Sequence, residues 1–363
     1  MKKTPLYDWH ISNSNNLVPF GGFLLPVYYS SIIEEHKNVR SRAGLFDVSH
    51  MGEFIISGSA SEKFMQLVTI NDVSKLRNGQ AQYNAMCDKN GGIIDDVIIY
   101  KKNSEFMMVV NASNIEKNFD WLESNIIEGV VIKNISEDIG LIAIQGPYSR
   151  KILQSLVKQN ISNLRFYHFI DKIDISGNKA LISRTGYTGE LGYEIYANPV
   201  SLKKIWKKLI EKGSQYGIIP AGLGCRDTLR LEMGYLLYGN DINQKINPIE
   251  AGLGWITKFD KGDFIGRKAI IQKKNEMSKH IFCFSMLDRA IPRAGCDIIF
   301  DSKSIGNVSS GTMSPTIRKG IGMGYIEKSH YKLGSRIGIN IRGKLKEAKI
   351  VGPPFHKLGS FRH

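Results

Sequence analysis

The run Gly91-Gly92-Ile93-Ile94-Asp95-Asp96-Val97-Ile98-Ile99-Tyr100 constrains the fold of this chain more than any other stretch. Its apolar, β-branched character reads as a buried strand, yet two adjacent carboxylates sit in its first half. Strand side chains alternate faces, so Asp95 and Asp96 point to opposite sides. One of them meets solvent or a turn. The other, Asp96, shares its side with Ile94, Ile98 and Tyr100 and is turned toward an apolar face. An ionised carboxylate there is costly without compensation. Either a cationic intermediate or a hydrogen-bonding ligand supplies it, or backbone N–H groups near the Gly91-Gly92 turn satisfy both acids.

The flanking sequence predicts a three-stranded meander. Gln82–Cys87 leads into the turn Asp88-Lys89-Asn90-Gly91-Gly92, Ile93–Tyr100 returns, and Phe106–Val110 follows a polar turn. A helix is predicted from Ser113, which with Glu116 forms an S-x-x-E capping box. Its apolar stripe is Ile115, Phe119, Leu122 and Ile126. Asn111 therefore lies at a strand end just before a helix, where it faces a ligand or serves the turn. A second helix follows Asn198-Pro199, with Leu202, Ile205, Trp206, Leu209 and Ile210 on one face. Lys203, Lys204, Lys207, Lys208 and Lys212 crowd the rest, as a solvated surface or a docking face for an acidic protein. Gly222-Leu223-Gly224-Cys225-Arg226-Asp227 opens a further helix carrying Arg230 and Glu232. Neither this glycine pair nor Gly320-Ile321-Gly322-Met323-Gly324 has the spacing of a dinucleotide fingerprint. A P-loop and a G-x-S-x-G elbow are absent from the sequence.

The polar stretch Lys273–Lys279 reads as a linker. Beyond it, short alternating runs separated by glycine turns predict a small all-β domain. The expected division is residues 1–277 and 278–363. A chain of 363 residues can hold this many cores, and no apolar run reaches the roughly 20 residues of a membrane span. The start Met1-Lys2-Lys3-Thr4-Pro5-Leu6-Tyr7 lacks the apolar segment of a secretory signal. Cys87, Cys225, Cys283 and Cys296 form no C-x-x-C pair and the eight histidines are scattered, so reduced thiols, a cytoplasmic setting and no metal are expected. The net charge of +15 favours anionic partners. Without basic runs interleaved with aromatics or a helix-turn-helix, zinc-finger or RNP-like pattern, nucleic acid ranks last among them.

Eight blocks in register resemble the T protein of the glycine cleavage system. They are Phe20-Gly21-Gly22 with Pro26-Val27-Tyr28, Gly44–Met51, Gly91–Tyr100, Gln145-Gly146-Pro147, Tyr187–Glu194, Gly222–Glu232, Pro248–Trp255 and Ser310–Thr316. The likeness runs from Thr4 to about Gly352. It implies an α+β molecule, with a two-lobed folate-binding α/β region and a C-terminal β-barrel making three lobes around a central hole. It further implies aminomethyl transfer from a lipoylated H protein to tetrahydrofolate, releasing ammonia and giving 5,10-methylenetetrahydrofolate.

The resemblance also places residues. Asp96 matches the catalytic aspartate, which stabilises positive charge on the transferred carbon and takes a proton from the attacking nitrogen. Glu194 matches the acceptor of the pterin 2-amino group and N3–H. Tyr83, Tyr100, Tyr187 and Tyr235 correspond to pocket tyrosines and Asn111 to a polar contact. Met51 forms an apolar wall or plain core. Arg226 holds an acidic neighbour or the folate tail, or else pairs with Asp227 or Glu232. His356 lies in a less familiar tail and is only a candidate. A rival reading keeps the folate pocket and changes the donor to a sulfonium or a methylamine. The K-G-C-[FY]-x-G-Q-E mark of a folate-binding iron–sulfur maturation factor is absent.

Overall fold

The computed structural model describes residues 1–276 and 278–361. The expected meander forms as strands Ala81–Cys87, Ile93–Lys102 and Glu105–Val110, all antiparallel. Gly52–Ser57 and Val131–Asn134 extend it to a five-stranded sheet. A six-stranded sheet runs in the order Phe169–Ile175, Asn178–Ser183, Gly192–Ala197, Gly140–Gln145, Ala43–Asp47 and Ile218–Pro220. The two sheets share a core in which Tyr100, Met107 and Val109 of the first meet Phe46, Leu141, Leu181 and Tyr196 of the second.

A β-bulge alters the expected side of Ile94, while the paired aspartates face opposite sides as expected. Met86 pairs with Asp95 but Cys87 with Ile93, so Ile94 is the additional residue on its strand. Ile94 consequently lies in the same core as Val97 and Ile99, rather than beside Asp96. Asp95 is the fully buried carboxylate, and Asp96 keeps partial exposure on the side of Ile98 and Tyr100. The strand forms as expected, Ile94 lies on the opposite side from the one alternation predicts, and the more deeply buried acid is Asp95 rather than Asp96.

The helix after Asn111 also differs from expectation. A short 3-10 turn, Ala112–Asn114, precedes the α-helix Ile115–Ser124, and no side chain caps its first turn. The Ser113–Glu116 capping box does not form, because the helix starts later and the Asn114 side chain is spent on Asp95. Ile115 and Leu122 are buried as expected, but Ile126 lies past the helix end and is exposed. The second helix, Pro199–Gly213, matches its pattern. Asn198 accepts from the Ser201 N–H, and Leu202, Ile205, Trp206 and Leu209 are buried.

Lys273 to Asn275 close the helix Arg267–Asn275, and the next strand begins at Lys279. Met277 lies outside the described residues. The strands from Lys279 to Val351 close into a six-stranded barrel. The glycine-rich strand Gly320–Glu327 belongs to it, and a Cβ on Gly322 would stand 2.4 Å from the Phe284 ring. Gly322 makes room for a core aromatic, and Gly320 and Gly324 for the neighbouring Ala290 and Asn307 carbonyls, rather than for a phosphate. Among the described residues, no helix is long and apolar enough to cross a membrane.

Candidate functional site

The site begins with the two carboxylates. Asp95 accepts from four N–H groups: the Asn111 backbone at 3.1 Å and the side-chain amides of Asn111 (2.8 Å), Asn114 (2.7 Å) and Asn118 (2.6 Å). Burial and the neighbouring Asp96 charge push Asp95 up to about 7, and these amides pull against that rise. Asp96 accepts from the Tyr83 hydroxyl at 3.0 Å and from Asn111 Nδ2 at 2.8 Å. Burial raises its pKa, opposed by the same two hydrogen bonds. Asn111 therefore bridges both acids and fixes the orientation of each.

A second wall comes from the six-stranded sheet. Glu194, on Gly192–Ala197, accepts from the Thr185 hydroxyl at 2.5 Å through Oε2. Its Oε1 has no hydrogen bond among the described residues. Burial raises the Glu194 pKa, while Thr185 and the charge of Arg226 lower it. Behind this pair, the fully buried Tyr100 places its hydroxyl 2.9 Å from that of Tyr196 and 3.4 Å from Thr185 Oγ1. Tyr100 thus meets Glu194 through Thr185, from within the core.

The third wall is aromatic and cationic. Tyr187 and Tyr235 stack at 5.7 Å and 25°, and the Arg226 guanidinium lies 4.7 Å from the Tyr187 ring centre. The Tyr187 hydroxyl donates to the Leu236 carbonyl. Met51 is half-buried and packs, with Ile55, Ile98 and Tyr167, against the core that holds Tyr100 and Tyr196. Tyr83 stacks at 6.1 Å and 22° on Trp255, an indole that is 64% exposed.

The ion pairs that Arg226 could have joined belong to other arginines. Arg230 holds Asp227 at 2.8 Å and Asp241 at 2.7 Å, and Glu232 pairs with Arg40 at 2.9 Å. Among the described residues Arg226 has no salt bridge, so its charge is available to an anion. His356 stands 3.5 Å from Glu190, behind the loop that carries Tyr187.

Sequence reasoning omitted Thr185, Tyr167, Tyr196, Asn114, Asn118 and Trp255. The asparagines left a signal, because positions 114 and 118 lie one helical turn apart and face the same strand. Tyr167 left none. It reaches the core shared with Tyr100 from a left-handed backbone conformation (φ 59°) that its residue type does not announce. Together these groups offer a fixed carboxylate for proton and cation work, an open acceptor, stacked rings and an unpaired guanidinium.

Two family profiles match in tandem: "GCVT N-terminal domain" over residues 6–261 and "Glycine cleavage T-protein C-terminal barrel domain" over 279–357. A curated protein named aminomethyltransferase from Halalkalibacterium halodurans is 44% identical over 99% of both chains. A namesake from Halothermothrix orenii is 47% identical, covering 98% of this chain and 100% of its own. The crystal structure of the glycine cleavage system aminomethyltransferase T from Bartonella henselae superposes with a TM-score of 0.91, at 29% identity, over 99% of each chain.

Proposed function

This chain belongs to the glycine cleavage T-protein family and is a folate-dependent aminomethyltransferase, and from that premise we propose how its own residues carry the transfer. The observation on which the reading rests is Asp96, held at both oxygens by Tyr83 and Asn111. A carboxylate fixed in this way stabilises the positive charge that develops on the moving carbon without having to reorient. Its raised pKa also makes it a stronger acceptor for the proton shed by the attacking nitrogen.

Tetrahydrofolate, when bound, supplies the nitrogens that receive the one-carbon unit. The residues present fit such a group. Glu194 Oε1 is open to accept from a donor edge, and the Tyr187–Tyr235 stack offers a flat apolar face. Arg226, without a salt bridge among the described residues, suits the carboxylates of a glutamate tail. Thr185 and Tyr100 hold Glu194 in place, and Met51 closes the apolar side. We assign the donor to a lipoylated H protein in the bacterial cytoplasm. The +15 charge would attract an acidic carrier or a polyglutamate tail, so rates at subsaturating substrate should fall as salt rises.

The test is ammonia release and methylenetetrahydrofolate formation from aminomethyl-loaded H protein and tetrahydrofolate. Asp96→Asn should lower transfer by about 10²–10⁴-fold while folate still binds. Nearly full transfer by that variant would remove Asp96 from the role. Folate binding by the wild type without transfer would move the search to other donors.

A further inference from the structure

Past the barrel, the chain returns to the wall that carries Tyr187. The N–H groups of Phe355 and His356 donate to the Glu232 carbonyl at 2.8 and 3.0 Å. Ser360 then donates to Glu190 Oε2 from its backbone (3.0 Å) and its hydroxyl (2.5 Å). The same hydroxyl oxygen accepts from the Leu191 N–H at 2.9 Å. Phe361 donates its N–H to the Gly189 carbonyl at 3.3 Å, and its own carbonyl accepts from Arg184, the residue before Thr185. Its ring lies 5.5 Å from Phe166, which stands 4.7 Å from Tyr167. The approach is close enough that a Cβ on Gly359 would stand 2.3 Å from the Gly189 carbonyl oxygen.

We propose that Gly359-Ser360-Phe361 is a positioning strap for the folate side of the site, with Ser360 as its principal fastening. The proposal rests on the folate reading above. Among the described residues the Ser360 side chain hydrogen-bonds to Glu190 and Leu191 alone, so it fastens the loop Tyr187–Leu191 rather than the barrel. Arg40 holds the same loop from the other side, through Glu190 Oε1 at 2.8 Å and the Thr188 carbonyl at 2.6 Å. With both attachments in place, Tyr187 has a fixed position against Tyr235 and under Arg226. Phe361 does the same for Phe166 and Tyr167, and its link to Arg184 steadies the segment leading to Thr185. The strap touches no reacting atom; it acts through the side chains that line the folate side of the site.

The experiment uses the full chain and Ser360→Ala, Ser360→Thr and a form ending at Leu358. Tetrahydrofolate Kd, KM for each substrate, kcat, melting temperature and amide exchange at Leu191 are measured. Ser360→Ala should raise folate Kd and KM roughly tenfold, as expected for losing hydrogen bonds to an ionised group that order the loop. Leu191 exchange should quicken, while the KM for loaded H protein, the kcat at saturating folate and the melting temperature hold. Ser360→Thr should restore folate affinity, and the shortened form should exceed the Ser360→Ala defect. An unchanged folate Kd in Ser360→Ala overturns the proposal. So does a general loss in which both KM values and the melting temperature move together. Failure of the wild type to bind folate overturns the underlying reading instead, and the strap's role falls with it.

Discussion

At the scale of single residues, the pairing of Asp95 with Asp96 divides labour between an acid that is held and an acid that reacts. Among the described residues Asp95 meets only N–H donors, four of them, and an ionised carboxylate is the side chain that accepts without donating. Asp95→Asn would turn an amide group against those donors. Unfolding in urea should show a loss of about 2–4 kcal/mol, and transfer should fall because Asn111 loses its register on Asp96. A pH–rate profile probes the partner. Since burial raises the Asp96 pKa, its acid limb should lie above the ordinary carboxylate range, with activity rising as Asp96 loses its proton. The presence of two carboxylates on a buried strand was legible from alternation and apolar content. Which of them is sealed was not, because the cover over Asp95 comes from Asn111, Asn114 and Asn118 of the following turn and helix rather than from the strand itself. Glu194 and the tyrosines were legible only through resemblance. Tyr196 lies on the strand that carries Glu194 and Thr185 just past the strand Asn178–Ser183, and no local spacing ties either to Tyr100 on the other sheet.

Among the elements, long patterned segments were readable and their ends were not. The stripe Leu202, Ile205, Trp206, Leu209 gave the helix Pro199–Gly213 because packing and capping agree there. At Ser113–Glu116 two local options competed, and the tertiary demand of Asp95 for Asn114 prevailed over the capping box. Distant side chains can finish an element in the same way. Lys261 donates to the carbonyls of Gln66 (2.8 Å), Thr69 (2.5 Å) and Asn71 (3.0 Å), closing the end of the helix Ser61–Val68. Lys261→Met should leave those acceptors without it and lower stability by about 2–3 kcal/mol, read by denaturant titration. Nothing near Val68 in the sequence foretells this closure, which arrives from far along the chain.

For the whole molecule, buried charge joins the barrel region to the helices Ile32–Ser41 and Leu223–Glu232. Glu232 accepts from Arg40, Ser314 and Thr316 and lies 3.1 Å from His36 Nε2. Arg230 joins Asp241 to Ser310. Burial works against an ionised Glu232, yet the His36 hydrogen bond and the Arg40 charge hold its pKa down to about 2. An acid depressed from its ordinary 4.5 contributes stability that is complete above that value and lost as pH falls toward 2. Acid unfolding should therefore steepen across that window. Glu232→Gln should flatten it and cost about 3 kcal/mol at neutral pH, measured by urea unfolding at several pH values. The all-β character of the last region was foreseeable from alternating runs and glycine turns, and its closure into a barrel only from the resemblance. Its bolts were not, since Ser314 and Thr316 look like ordinary turn residues until Glu232 meets them.

The order of strands in the six-stranded sheet has a consequence for the protein as it is made. Ala43–Asp47 is an interior strand, with one neighbour at Gly140–Gln145 and the other at Ile218–Pro220. A ribosome adding about 5–20 residues per second leaves its apolar edge waiting on the order of ten seconds for that second neighbour. During this interval the nascent chain presents Leu45 and Phe46 without the partners that later bury them, the condition in which chaperones earn their keep.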